Sequence, residues 1–375
     1  MRIFHRLRSL LVWITLITCG SYGYSVAQVL PSIGDTLYYF IDELPKHINA
    51  STVGTNVFWN FSSLKAPYIE YITVDDPSER ATQASFAGSA MVFVDQDGRE
   101  SYFGKKTSNL VHLGGSRFYL GTRAISGNWH YSENTIDYLP KLPYGANRHV
   151  HVTLTRSFST EQLPVSVRDR LPQSMDSIRW DAEVLREYAA DGKGKIQIPG
   201  GQYEVGRIKA MDKTLHSIFV KRTGAVWEEA DAEVQEILIT LYQPITFYFV
   251  SDDYPQPVAV VYADQLEQPI FVKYMAEPYQ AQYYTTSTAG QWLYAYPNPA
   301  FSTVRFKVFD IKPGRYEIHF YNILGKRLFE RTYDLSGTQT IELEIGQLEK
   351  GTYLYSLVDG NGNKLITKRL IVLKP

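Results

Sequence analysis

The chain alternates apolar and polar residues in short runs. Residues 37–41, 55–61, 68–74, 90–94 and 101–103 are rich in aromatic and β-branched side chains, and each run is bounded by Gly, Pro, Asn or Asp. That pattern predicts strands. Asp97-Gly98 stands between two such runs and predicts a hairpin turn. Further strands are expected over 149–158, 178–189, 195–198, 202–210, 216–221, 236–242, 246–250 and 257–262. Gly192 and Gly194 then read as a turn between two of them. Residues 228–241 form the one helical candidate, but their centre, Ile237-Leu238-Ile239, also suits a strand. Strands at this spacing, without long helical segments between them, predict an all-β, antiparallel sandwich or barrel-like body over 28–280.

The composition changes to Gln, Thr, Ser and Gly over 281–290, which reads as a linker. A second strand series follows over 291–375. Tyr316, Ile318 and Phe320 alternate with Glu317 and His319, and Ile341, Leu343 and Ile345 alternate with Glu342 and Glu344. Asn322-Ile323-Leu324-Gly325 and Asp359-Gly360-Asn361-Gly362-Asn363 are turns. About seven short strands in about 80 residues predict a small immunoglobulin-like sandwich.

The N-terminal 27 residues read differently. Arg2, Arg6 and Arg8 precede a short apolar run over 10–17, and Ser25-Val26-Ala27 is a small-x-small site before Gln28. That is the layout of a secretory signal peptide over 1–27. Leu16-Ile17-Thr18-Cys19-Gly20 also loosely resembles a lipoprotein cleavage box, with Thr18 where that box takes Gly, Ala or Ser. Cys19 is the single cysteine, so cleavage after Ala27 leaves a chain without disulfides. No later run is long and apolar enough for a transmembrane segment.

Charge separates the two strand regions. The whole sequence carries 38 basic and 39 acidic residues. Residues 291–375 hold 12 basic and 8 acidic ones, whereas 28–290 hold 23 and 31. A net negative body argues against nucleic acid as a partner, because phosphate neutralisation needs a basic footprint. Simple solubility accounts for that charge.

Several motifs occur in order along the tail: Tyr296-Pro297-Asn298-Pro299, the Tyr321 to Gly325 turn, Lys350-Gly351-Thr352-Tyr353, and Lys368-Arg369-Leu370. Over about 80 residues the tail resembles the C-terminal sorting domain of type IX secretion cargo, in its type A form. The resemblance implies a Bacteroidetes-type Gram-negative source and export through the periplasm. It implies recognition of the folded tail by the type IX translocon and sorting machinery. It also implies release, or attachment to surface lipopolysaccharide. The sorting signal would rest on Pro297, Asn298, Pro299, Gly325, Lys350, Gly351, Tyr353, Lys368 and Arg369. In the body, residues 59–64 (Trp59 to Leu64) and the Gly-rich stretch 191–203 resemble segments of uncharacterised surface proteins that carry such a tail. That second resemblance brings no chemistry with it.

Candidate chemistry in the body is sparse. His149 and His151 fall on one face of a predicted strand, but zinc needs further ligands, and His112, His130 and Asp137 are unplaced. Asp95, Asp97, Gly98 and Glu100 superficially resemble a calcium loop that the next strand cuts short, and Asp75-Asp76 and Asp252-Asp253 are acidic pairs in turns. G-x-S-x-G and H-E-x-x-H motifs are absent from the sequence, and Gly192-x-Gly194 makes no phosphate cradle. Trp59, Trp129, Trp180, Trp227 and Trp292 suit either a sandwich core or an aromatic binding face. The expectation is therefore no catalytic, cofactor or metal residue, and a secreted or surface module for adhesion or for binding glycan or protein. A secreted hydrolase acting on glycans is the alternative. Two acids in a deep cleft would favour the hydrolase.

Overall fold

Two long strands replace the four expected over residues 178–221. In the computed structural model, β9 (Met175–Ile198) and β10 (Gly201–Arg222) pair antiparallel along almost their whole length. The structure describes residues 29–42, 45–65, 68–96, 98–106, 109–120, 123–133, 136–139, 142–163, 165–238, 245–276, 293–296, 298, 300 and 303–372. The leader, the linker, Asp97, Trp292, Pro297 and Pro299 lie outside them.

Before this hairpin come β1 (Thr36–Asp42), β2 (Gly54–Asn60), β3 (Tyr68–Asp75), β4 (Met91–Asp95), β5 (Glu100–Lys106), β6 (Asn109–Leu120), β7 (Arg123–His130) and β8 (Asn147–Ser159). After it come β11 (Glu228–Glu229), β12 (Ile245–Val250), β13 (Ala259–Ala263) and β14 (Pro269–Met275). They form one sheet in the order β2-β9-β10-β12-β13-β14-β1-β3-β4-β5-β6-β7, with β8 added to β9 and β11 to β10. The path has two ends, so the sheet is not a closed barrel. All these pairings are antiparallel except β2 with β9.

That parallel pair explains the glycines. Gly192 and Gly194 lie inside β9, not in a turn; the turn is at Pro199-Gly200. A Cβ on Gly194 would lie 2.0 Å from the Val57 carbonyl oxygen, and one on Gly192 would lie 2.9 Å from the Trp59 ring. The glycines therefore admit the β2 backbone where any side chain would block it. Trp59, 1% exposed, then closes over the hairpin against Phe249.

Alternation along the hairpin feeds two cores. The N-terminal half of β9 packs with β8 and with helix α2 (Ala232–Leu238), which settles the ambiguous stretch as helix through Leu238; Val234, Ile237 and Leu238 are buried. A short helix α1 (Val165–Arg168) adds Val167 to this core. The other half packs with β2, β12, β13 and β14 around Phe61, Phe247 and Phe249. Strands β6, β7, β11 and β14 were absent from the sequence expectation. Residues 113–115 (Leu-Gly-Gly) break the apolar alternation of β6, and Gly114 lies at φ 149° against the Trp129 carbonyl. A hairpin is present between β4 and β5 as expected, with Gly98 at φ 71°.

The tail is a separate sheet: β15 (Leu293–Tyr296), β16 (Thr303–Asn322), β17 (Arg327–Glu344), β18 (Gly351–Val358) and β19 (Lys364–Val372). Five strands do the work of the seven expected, because β16 and β17 are long and bend where their register shifts between Val308 and Gly314. One apolar cluster containing Phe306, Ile318, Phe320, Tyr355, Leu357 and Leu370 fills the sandwich. Among the described residues no helix is long and apolar enough to cross a membrane.

Candidate functional site

The body holds a half-open cavity of about 150 Å³, lined by Phe103, His112, Ile136, Asp137, Tyr138, Arg186, Tyr188 and Tyr248. These residues come from β5, β6, the segment after β7, β9 and β12. The strands at the far end of the sheet therefore lie over the central hairpin. Residues 136–138 are carried there by backbone bonds to β6, from the His112 N–H to the Ile136 carbonyl and from the Tyr138 N–H to the Leu110 carbonyl. Arg186 and Tyr188 are two apart on β9 and so share its inner face. Asp212 pairs with Arg186 across the strands, and Tyr248 follows through Ile208.

Arg186 is gripped by Asp212, which accepts from both Nε and Nη2, and its Nη1 donates to the Tyr188 hydroxyl at 3.3 Å. Burial works against the Arg186 charge, but the Asp212 carboxylate outweighs it and holds the guanidinium protonated. At the other wall Arg148 donates to Asp137. The charges therefore cancel in pairs. Burial pushes the Tyr131 hydroxyl up to about 12 and raises Tyr138, Tyr188 and Tyr248 as well. His112 is driven down to about 4, first by burial and then by the Arg186 charge. Near neutral pH every hydroxyl and the imidazole are uncharged.

His112 is packed on all sides by rings: Phe103 stacks at 4.9 Å, and Trp129 and Tyr131 meet it edge-on at 5.4 and 5.5 Å. Its Nε2 is buried and has no hydrogen-bond partner among the described residues. A buried polar atom left unsatisfied costs about 1–3 kcal/mol. The cavity thus offers an aromatic wall and neutral hydroxyls, beside an imidazole whose Nε2 is itself buried.

The other sequence candidates are not brought together. His149 and His151 each face a single carboxylate, Glu187 at 3.6 Å and Glu183 at 2.7 Å. Asp95 accepts from the Arg99 backbone and side chain, whereas Glu100 turns to Thr82 and Tyr102. Their carboxylates serve different partners, as hairpin chemistry requires. Trp59 and Trp180 are core residues, and Trp129 is partly buried against the core. Of the sequence candidates only His112 and Asp137 reach the cavity; Arg186, Tyr188 and Tyr248 were missed because ordinary strand alternation hides them.

In the tail, the motif residues act on the backbone. Asn298, buried, takes the Ile371 N–H on Oδ1 at 2.8 Å and gives its amide to the Arg369 carbonyl at 2.9 Å. The Ala300 N–H adds a bond to the Ile371 carbonyl. The entry segment thus seals the edge of the last strand, which would otherwise present unpaired groups. Gly325 occupies φ 82° in the β16–β17 turn, where Asn322 Oδ1 accepts from Leu324 and Lys326. Tyr353 lies over Gly351 and donates to the Glu349 carbonyl at 2.8 Å. The same device recurs unannounced at Gly314 and Tyr316, whose hydroxyl reaches the Lys312 carbonyl at 3.0 Å. Lys350 and Arg369 are exposed, and Lys368 is half-buried.

The tail is thus a small sandwich with one apolar core, a sealed edge and Gly-Tyr corners. Residues 294–373 match the family described as "Secretion system C-terminal sorting domain". Neither a curated protein nor a solved structure matches the chain. The tail assigns the chain to type IX secretion and sends it to the cell surface or the extracellular space.

Proposed function

We propose that the body is a non-enzymatic binding module that accepts one uncharged sugar ring of a glycan in the cavity around His112, Arg186 and Tyr188. The observation that carries this reading is the electrical state of the cavity. Asp212 is bound by Arg186 and Asp137 by Arg148, so neither acid is free to act as proton donor or nucleophile. What remains is a neutral set of phenols and an imidazole beside aromatic faces. That set suits hydroxyl groups and C–H faces better than an ionised ligand. A space of this size holds a benzene-sized group, so the ring core would enter and its outer hydroxyls would project through the open side.

On this reading the leader over 1–27 is removed after Ala27, the body and tail fold in the periplasm, and the sorting machinery carries the product outward. The test is calorimetry of the full chain against neutral oligosaccharides, with wild type compared with His112→Phe and Tyr188→Phe. Saturable binding that both variants weaken about tenfold, one lost hydrogen bond each, supports the reading. Hydrolysis of the oligosaccharide would replace it with the glycan hydrolase. Equal binding by all three proteins would move the site elsewhere.

A further inference from the structure

The tail carries a group of polar side chains outside its apolar core. On β16, Ile318 and Phe320 point into the apolar cluster, so Glu317, His319 and Tyr321 share the opposite face. Glu330 on β17 lies directly opposite His319 in the antiparallel register. His319 Nε2 is 2.7 Å from Glu317 Oε2 and 3.5 Å from Glu330 Oε2. Its Nδ1 is 3.2 Å from the Tyr321 hydroxyl. His319 is only 7% exposed, so the ring is held in place and not waving in solvent.

We propose that Glu317, His319 and Glu330 form a zinc site on this outer face of the tail. One ligand atom from each lies within 4.8 Å of the others. Ligands of tetrahedral zinc at bond lengths of about 2.0–2.2 Å sit about 3.3 Å apart, so small side-chain adjustments bring the three into place. One imidazole nitrogen and two carboxylate oxygens are a borderline donor set that zinc accepts, with water completing the shell. Calcium, which takes oxygen ligands, gains nothing from the imidazole.

The outer shell fits the same purpose. When Nε2 gives its lone pair to the metal, the ring proton sits on Nδ1 and donates to the Tyr321 hydroxyl, fixing the tautomer. Lys364 lies 4.6 Å over the Tyr321 ring and keeps that ring in position. Arg327 contacts the same Glu330 oxygen at 3.0 Å, so the metal would share or displace that ion pair, and Glu317 and Glu330 supply the two negative charges that a divalent ion requires. The metal would clip β16 to β17 across the hairpin. The sequence has one cysteine, so it has no intrachain disulfide to do this.

The test uses the full chain, freed of metal with a chelator and titrated with zinc chloride, then with calcium chloride, by calorimetry and thermal melting. The expected result is one zinc per chain and a higher melting temperature, with calcium inert. Glu330→Gln, at an exposed position that leaves the fold intact, and His319→Gln should each weaken zinc binding by about tenfold or more, the loss typical of a disturbed zinc site. A His149→Gln/His151→Gln double variant should bind as wild type does. No saturable zinc binding overturns the proposal. So does zinc binding that survives both tail variants, or is lost in the His149/His151 variant.

Discussion

The body and the tail are both β-sheet proteins, yet they treat their interiors differently. The tail fills one sandwich with Phe306, Ile318, Phe320 and their neighbours, and its buried Asn298 and Tyr355 spend their polar groups on the backbone. The body takes charge out of solvent: Arg207 is buried against Asp191, and Arg186 with Asp212 and Lys273 with Glu70 are half-buried pairs. Buried ion pairs are weak contributors to stability, and apolar replacements often do as well. The tail keeps what a portable signal needs, a core that closes on itself. The body keeps a polar cavity that stability alone does not call for.

The comparison can be broken most forcefully at the body's central hairpin. Gly194→Val would drive a side chain into the Val57 carbonyl and lift β2, with Trp59, off the hairpin. A loss of about 4 kcal/mol or more is expected in urea unfolding of the body, with the tail's own transition unchanged. A coincident loss in both would show that they unfold as one unit.

A smaller effect isolates the cavity. His112 has a folded pKa near 4, below its unfolded value of about 6.5. The unfolded chain therefore binds the proton more tightly. The stability from keeping the imidazole neutral is complete above about pH 6.5 and is lost as the pH falls towards 4, by about 3 kcal/mol at most. His112→Phe should flatten that limb of the stability–pH curve. An unchanged limb would mean that the acid sensitivity lies elsewhere.

Legibility divides along the same line. Asn298, Gly325, Gly351 and Tyr353 stood out through the tail's family motifs; Gly325, Gly351 and Tyr353 serve the backbone within a turn or a few residues of chain, whereas Asn298 reaches a strand about 70 positions on. Gly192 and Gly194 were equally visible but misread as a turn, since the reason for them, the parallel approach of β2, comes from residues about 140 positions earlier. Arg186 and Asp212 sit at ordinary strand positions. Only the pairing of β9 with β10, and the layer of β5 and β6 above, makes them a site. The helix through Leu238 was half legible: its β-branched centre argued for a strand, and burial of Val234, Ile237 and Leu238 on one helical face decided it.

Two finer changes sharpen the picture of the tail. Asn298→Ala removes both bonds to the last strand and should lower tail stability by about 2 kcal/mol, with surface delivery falling in step. Tyr353→Phe loses one exposed bond to the Glu349 carbonyl and should cost about 0.5–1 kcal/mol, with delivery nearly intact. If Tyr353→Phe blocks export while the tail stays folded, the hydroxyl is read by the machinery itself.

The account rests on the tail acting as an export signal through its completed fold. Removing residues 351–375 takes away β18 and β19, exposing the apolar face of β16 and leaving its edge unpaired. The decisive measurement is surface protease accessibility with cell fractionation, in a host with type IX secretion. It compares the full chain, the truncated chain, and residues 281–375 fused to a reporter with its own leader. The account predicts the full chain and the fusion at the surface and the truncated body folded in the periplasm. Surface delivery of the truncated chain, or a fusion retained in the periplasm, would contradict it.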